Sequence, residues 1–312
     1  MAKVSIIVPC FNEEESLPLF FSAVKKETSK IPAEIEYWFI DDGSTDNTLQ
    51  IIQQLRSDYP NEVCYLSFTR NFGKEAAMYA GFKYATGDYV AVMDADLQDP
   101  PNLLPKMYEM LQQKELDCVG IRRTNRNGEG RIRSFFSHQF YKIINSLSYT
   151  QIVADARDYR MMKRQMVDSI ISMPEYNRFS KGIFSWVGYK TMYLSYENAK
   201  RVSGKTHWTF WQLLNYGLDG IINFSDTPLS LAIWLGVTSA ILSFIGLILV
   251  VIRHFIDPQA SAFGWSSLVC IFLMISGVQL ICLGIVGKYV GKIYIQSKRR
   301  PIYIIKKKCG KG

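Results

Sequence analysis

Val90-Ala91-Val92-Met93-Asp94-Ala95-Asp96-Leu97-Gln98-Asp99-Pro100-Pro101 is an apolar run that breaks off in two acids. A short continuous apolar run closed by turn residues reads as a buried strand, here delivering Asp94 and Asp96 at its carboxyl end. In an open α/β sheet, ligands bind outside those ends. Two carboxylates one residue apart at such an exit repel each other unless a cation lies between them. Mg²⁺ or Mn²⁺ together with a phosphate-bearing substrate is the natural candidate.

The same strand-then-acid pattern recurs upstream. Val4–Val8 reads as a strand running into Pro9-Cys10-Phe11-Asn12-Glu13-Glu14, and Tyr37–Ile40 as a second running into Asp41-Asp42-Gly43-Ser44. Between them, the spacing of Leu17, Phe20, Phe21 and Val24 predicts a helix over 16–28. Thr45 or Asp46 can cap another reaching Leu55. Val63–Phe68 is a third strand, 74–85 a helix, Tyr89–Met93 the strand quoted above, and Asp117–Ile121 a further one. This alternation predicts an α/β fold, a mostly parallel sheet with helices on both faces. Gly43 permits a tight turn, and an Asp at a strand end either binds a ribose or base edge or merely caps the next helix.

The second half changes character. Arg126, Arg131 and Arg133 precede Phe135, Phe136, Phe140, Tyr141, Ile144 and Leu147 at helical spacing, which fits an amphipathic core helix or one whose basic end meets lipid phosphate. Over 206–224, Trp208 and Trp211 lead an apolar stretch that suits an interfacial helix. Leu229–Ile252 and Trp265–Gly287 hold no charged residue, and each exceeds the roughly 20 residues that cross a hydrocarbon core. These are two expected membrane spans. Of the net charge of +8, nine Lys and Arg lie from Lys288 onward with no acid, leaving −1 for everything before them. The basicity belongs to the tail, so a lipid surface is the expected partner, the tail side is the cytoplasm, and nucleic acid is not expected. Around Pro301, alternating Ile293, Ile295, Ile302 and Ile304 read as short strands able to pair with a second copy, or as a basic tail lying on lipid.

Six scattered cysteines without a C-x-x-C pair fit reduced thiols. Val4–Val8 is too short for a signal peptide, and Glu13-Glu14-Glu15 follows at once.

Taken together, Pro9-Cys10-Phe11-Asn12-Glu13, Asp41-Asp42-Gly43-Ser44, Arg70-Asn71-Phe72-Gly73-Lys74, the Asp94–Pro101 string and Asp155-Ala156-Arg157-Asp158-Tyr159-Arg160 resemble the family-2 glycosyltransferases of GT-A fold. The likeness is to the polyprenyl-phosphate branch, which includes bactoprenol glucosyltransferases and dolichyl-phosphate mannose synthases. It extends over essentially the whole chain and implies a Rossmann-like nucleotide-sugar transferase domain followed by amphipathic interface helices and two transmembrane helices. The implied domains are 1–225 (catalytic, with the interface helices), 226–290 (two spans) and 291–312 (basic tail).

By that resemblance, Pro9, Glu13 and Asp42 hold the nucleotide, and Asp94, Asp96 and Gln98 hold Mg²⁺ or Mn²⁺ on the donor diphosphate. Arg201, in Arg201-Val202-Ser203-Gly204-Lys205-Thr206-His207-Trp208, reaches that diphosphate from a loop. His207 stands where the family pattern has lysine. Arg122 and Arg133 grip the lipid phosphate, and Asp158 is the catalytic carboxylate with Asp155 as the competing position; Asp158 can equally orient Arg160. Gly73-Lys74 reads as a structural turn beside the nucleotide pocket, because the P-loop spacing is absent. The implied reaction moves one hexose from a UDP-sugar to undecaprenyl phosphate with inversion. UDP-glucose is favoured over UDP-N-acetylglucosamine, and the setting is a bacterial plasma membrane, with a homo-oligomer allowed by the tail. The non-enzymatic rival is a membrane scaffold carrying a degenerate sugar-nucleotide domain.

Overall fold

A computed structural model describes residues 1–113, 115–123, 153, 155–196, 222, 225–256 and 264–309. They divide between two compact units, the first holding the described residues up to 196 together with 300–309, the second those from 222 to 299. The expected helix over 126–150 lies outside the described residues, as do Arg133, Arg201 and, residue 222 apart, the expected helix over 206–224.

In chain order, the first unit begins with strand β1 (Lys3–Cys10), helix α1 (Leu17–Thr28), β2 (Glu34–Asp41), α2 (Thr48–Asp58), β3 (Val63–Phe68), α3 (Lys74–Tyr84) and β4 (Tyr89–Val92). After these come α4 (Leu104–Gln113), β5 (Cys118–Arg123), β6 (Ala156–Lys163), α5 (Arg164–Ile171), α6 (Ser180–Trp186) and β7 (Thr191–Tyr196). The second unit contains α7 (Thr227–Ile256) and α8 (Trp265–Ser297), and the chain then returns to the first unit with β8 (Ile305–Cys309).

The eight strands form one sheet in the order β7-β5-β6-β4-β1-β2-β3-β8. β1, β2, β3 and β4 run parallel, whereas β6 is antiparallel to both β4 and β5, so the sheet is mixed. Burial on both faces explains the apolar density of β1: Val4, Ile6 and Val8 join the core under α1, while Ile7 meets α3. The approach of α3 is close, since a Cβ on Gly81 would come 2.2 Å from Ile7 Cγ2. This two-sided cover holds four strand exits, those of β1 to β4, along a single edge.

The tail departs from the expected strands. Lys292–Ser297 continues α8 without a break, and the helix stops before Arg299 (φ +48°) and Pro301, where the residue ahead of a proline is steered out of the helical region. Beyond Pro301 the chain pairs with its own sheet: β8 lies antiparallel to β3, Leu66 opposite Lys308 and Phe68 opposite Ile305. Tyr303 stacks on Phe68 with ring centroids 5.0 Å apart. Exposed Lys306, Lys307 and Lys308 then mark the sheet edge, a common defence against edge pairing.

In the second unit, α7 and α8 pack on each other, with Cys282 Sγ 3.6 Å from the carbonyl of Ala232 and Tyr289 donating to the carbonyl of Ser225 at 2.7 Å. Their outer faces are apolar. Trp234, Leu242, Phe244, Phe272, Leu273, Leu280 and Ile281 are each more than half exposed. Mean hydropathy is 1.9 over Thr227–Gly246 and 2.0 over Ile271–Ser297. At about 1.5 Å per residue either helix exceeds a hydrocarbon core of roughly 30 Å; both are long and apolar enough to cross a membrane.

Candidate active site

The acidic turns after β1 and β2 are sewn together. Asn12 (φ +56°) donates its N–H to the Ser44 hydroxyl at 3.0 Å, and its Oδ1 accepts the Thr45 N–H at 2.9 Å. Glu13 takes the Ser16 hydroxyl on Oε2 at 2.5 Å, while its own N–H donates to Thr48. Pro9 pairs with Ile40 inside the sheet. Of the two acids after β2, Asp41 is structural, accepting Ser44 N–H at 3.0 Å and the Ser67 hydroxyl at 2.7 Å.

Asp42 faces the other way. Its two oxygens accept the N–H groups of Phe72 (2.7 Å) and Gly73 (2.8 Å), clamping the Arg70–Lys74 turn. Burial raises this carboxyl to about 6, against the opposing pull of those two bonds. Gly43 makes the approach feasible: it sits at φ +70°, and a Cβ there would lie 2.5 Å from the Arg70 carbonyl carbon. The residue expected to touch the nucleotide therefore also sets the backbone that begins α3.

That backbone aims Lys74. Its ammonium lies 2.6 Å from Asp94 Oδ1, 2.8 Å from Asp94 Oδ2 and 2.6 Å from Asp158 Oδ2. Burial would lower a lysine, but Asp158 and Asp94 outweigh it and hold Lys74 well above its ordinary value. Burial pushes Asp158 up, and Lys74 with Lys181 overcomes that, so its carboxyl stays well below the usual range. Asp158 is expected either to be the catalytic carboxylate or to orient Arg160. Its carboxylate goes to Lys74, and Arg160 bonds only its backbone carbonyl, at 3.3 Å. Buried Arg160 itself lies over the Phe184 ring at 3.7 Å. The competing Asp155 occupies the left-handed region, φ +60°, just before β6.

Asp96 and Gln98 stand one turn further on. Asp96 is buried and accepts the Gln98 N–H at 3.1 Å, across Leu97 at φ +55°. Gln98 Oε1 faces Arg123 (3.3 Å) and Arg157 (3.2 Å). Arg157 also pairs with the buried Asp99 at 2.9 Å, which Tyr196 reaches at 2.7 Å. Burial raises Asp99, with Arg157 opposing, and it raises Tyr196 to about 12. Arg122, expected on a lipid phosphate, projects at the surface with Nε 3.2 Å from Ser195 Oγ.

Among the described residues no three His, Cys, Asp or Glu side chains converge into a metal cage. The set expected from the sequence is two carboxylates, Asp94 and Asp96, beside the Gln98 amide, whose Oε1 faces Arg123 and Arg157. It fits a small hard cation that keeps waters and completes its shell with substrate phosphates, the usual habit of Mg²⁺.

Arg157 and Asp99 carry no expectation of their own from the sequence, and Lys74, expected only as part of a structural turn, instead meets two carboxylates. Lys74 did carry a signal. It opens α3, and a cation at a helix N-terminus opposes the macrodipole, so it requires anions from elsewhere in the fold.

A mixed α/β sheet with acids at the exits of β1, β2 and β4, and a carboxylate returning on β6, defines a GT-A-type glycosyltransferase. Residues 5–171 match the family Glycosyl transferase family 2, and the chain belongs to that family. It is 41% identical over 305 residues to the prophage bactoprenol glucosyl transferase homolog of Escherichia coli K12, covering 98% of this chain and 99% of that one. Identity to the bactoprenol glucosyl transferase of Shigella phage SfV is 42% over 304 residues, covering 97% and 98%. Among solved structures, mannosyl-3-phosphoglycerate synthase from Rubrobacter xylanophilus superposes with a TM-score of 0.51 at 15% identity, over 71% of this chain and 73% of that one, a likeness of fold.

Proposed function

We propose that the enzyme transfers a single hexose from a UDP-sugar, UDP-glucose first, to undecaprenyl phosphate at the cytoplasmic face of a bacterial plasma membrane. One observation carries the reading: the likeness to bactoprenol glucosyl transferases runs through the two apolar helices as well as the catalytic sheet, at 98% of this chain. A lipid acceptor accounts for both parts. The pairing of β8 with β3, in the sheet that holds β1–β4, supports a tail on the same side of the membrane as the catalytic unit. The basic tail makes that side cytoplasmic.

The residues divide the work as follows. Pro9, Glu13 and Asp42 take the nucleotide, and Arg201 takes the donor diphosphate. Asp94, Asp96 and Gln98 hold Mg²⁺ or Mn²⁺, which when bound neutralises the charge developing on the departing nucleoside diphosphate, an effect of several kcal/mol. A lipid phosphate carries about −1.5 to −2 charge near neutral pH and is already nucleophilic. It needs placing more than deprotonating, and Arg122 and Arg133 are suited to that because a guanidinium fork matches two phosphate oxygens. Asp158, kept ionised by Lys74, is the catalytic carboxylate, orienting the reacting groups rather than taking a proton. In-line attack gives inversion.

The test is a donor screen. Purified full-length protein is incubated with radiolabelled UDP-glucose or UDP-N-acetylglucosamine and undecaprenyl phosphate, and lipid products are read by mass and by sugar hydrolysis. A β-linked lipid monophosphosugar from UDP-glucose is expected. Label found only in long polymer, or a product from UDP-N-acetylglucosamine alone, overturns the assignment as stated.

A further inference from the structure

We propose that Lys74 is a positioning residue that occupies Asp94 in place of the divalent cation until the donor arrives, then yields Asp94 to the ion while keeping Asp158. The inference rests on the reading of Asp94 as a cation ligand given above.

Three observations lead to it. The antiparallel pairing of Val92 with Arg160, continued two residues, sets Asp94 opposite Asp158, two like charges at one sheet edge. Lys74 neutralises both, and on Asp94 it engages both carboxylate oxygens, at 2.6 and 2.8 Å. An ion that takes those oxygens must displace the ammonium. Lys74 can move aside: its side chain is 40% exposed, against 23% for Asp94 and 19% for Asp158, and a lysine stem has four rotatable carbons. The bond to Asp158 gives it a second anchor during the exchange.

The consequence is ordered loading. A resident ammonium competes with a bare divalent ion, so the ion alone binds weakly. A nucleoside diphosphate changes the balance, because its phosphates supply anionic oxygens both to the ion and to the displaced ammonium. Lys74 thus makes cation uptake depend on the nucleotide and keeps the two carboxylates from repelling each other between turnovers.

The experiment compares full-length wild type with Lys74→Met, which keeps the stem and removes the charge, and Lys74→Arg. Free Mn²⁺ is followed by electron paramagnetic resonance, with and without UDP. Lys74→Met is expected to bind bare Mn²⁺ about two- to fivefold more tightly than wild type, in line with loss of one partly exposed ion pair. The increase in Mn²⁺ affinity caused by UDP is expected to shrink, and Lys74→Arg to stay near wild type. A lysine that only supported the fold would weaken binding on removal. Bare Mn²⁺ bound equally or less well by Lys74→Met, or by neither protein, overturns the proposal. Should Lys74→Met not fold, Lys74→Met/Asp158→Asn removes the ammonium together with one acid it neutralises; Asp94 is freed with the local net charge unchanged, and a smaller tightening of the same sign is expected. Wild type that binds no Mn²⁺ even with UDP refutes the underlying cation site; wild type that binds Mn²⁺–UDP beside a variant without tightening refutes only the role of Lys74.

Discussion

Asp94 and Asp158 face each other across the exit of β4 and the entry of β6, and both are bonded to the ammonium of Lys74 at 2.6 Å. Three chain segments far apart in sequence meet there: the helix after β3, the exit of β4 and the returning β6. Each is held by a separate device. Asp42 clamps the backbone before Lys74 while Glu75 ties the same helix to the N–H of Ser180 at 3.1 Å, the Asp96–Gln98 turn closes the exit of β4, and β6 is fixed by its pairing with β4 and β5. Precise placement of this kind is what a transfer between two anionic substrates requires, since most of its barrier is lowered by position and charge.

Asp96→Asn separates catalysis from folding. The substitution keeps an oxygen able to accept the Gln98 N–H, so the turn survives. On the proposed reading it removes one of the two carboxylate charges that hold the cation, an interaction worth several kcal/mol in the transition state. Transfer to lipid phosphate is expected to fall by roughly a hundredfold or more, with helix content and membrane insertion retained. A rate unchanged within a factor of two would favour the scaffold reading of this chain.

The carboxyl of Asp42 titrates at about 6 in the folded chain because burial disfavours its charge. Its value in an unfolded chain is about 3.9. The folded state therefore binds the extra proton between those values, and stability contributed by Asp42 falls as pH rises through the window. The difference amounts to roughly 2–3 kcal/mol. Asp42→Asn has no proton to lose. Wild type minus variant stability, followed by urea unfolding at pH 4 to 7.5, should decline by that amount as pH rises and level off above the upper end. A flat difference would show that Asp42 does not ionise under strain.

Gly43→Ala tests how the two acidic turns are joined. The position requires φ +70°, and the new Cβ meets backbone atoms of Arg70 and Asn71 at 2.5 to 2.8 Å, none of which can rotate away. Strain and displacement together should cost about 2–4 kcal/mol. The Arg70–Lys74 turn must move, so UDP binding should weaken along with thermal stability. Gly43→Ala with wild-type unfolding and wild-type UDP affinity would contradict the close approach.

Much of the sheet and its acids could be read from Val4, Tyr37, Val63 and Val90 onward, because a buried parallel strand is apolar on both faces and stops where the acids begin. The helix expected over 16–28 from its apolar spacing runs Leu17–Thr28, and the one expected over 74–85 runs Lys74–Tyr84. Other features were not local. Period-two isoleucines near the tail resembled a strand, yet α8 carries through Ser297, and strand β8 starts only at Ile305. Its pairing with β3 spans over 200 residues of sequence, and no pattern in either strand names the other. Lys74 shows the same limit. A turn of Gly and Lys looks ordinary until β4 and β6 bring two carboxylates to it.

Arg157 and Asp99 offer a test of how the Gln98 turn is held. Asp99 is nearly inaccessible, with a side-chain exposure of 1%, and Arg157 supplies its charge partner at 2.9 Å while also reaching Gln98 Oε1 at 3.2 Å. Removing one member of a buried pair strands the other charge, so Arg157→Met should destabilise the fold by about 3–5 kcal/mol. Asp99→Asn keeps an acceptor for the Tyr196 hydroxyl and should cost less. With both changes the stranded charge is gone, and the double variant should be more stable than Arg157→Met alone, giving a coupling of about 1–3 kcal/mol. Gln98 Oε1 loses its Arg157 partner and keeps Arg123 at 3.3 Å in either Arg157 background, so Mn²⁺–UDP affinity should fall equally in the single and double variants. Recovery of stability without recovery of binding would assign Arg157 both tasks; recovery of both would confine it to neutralising Asp99.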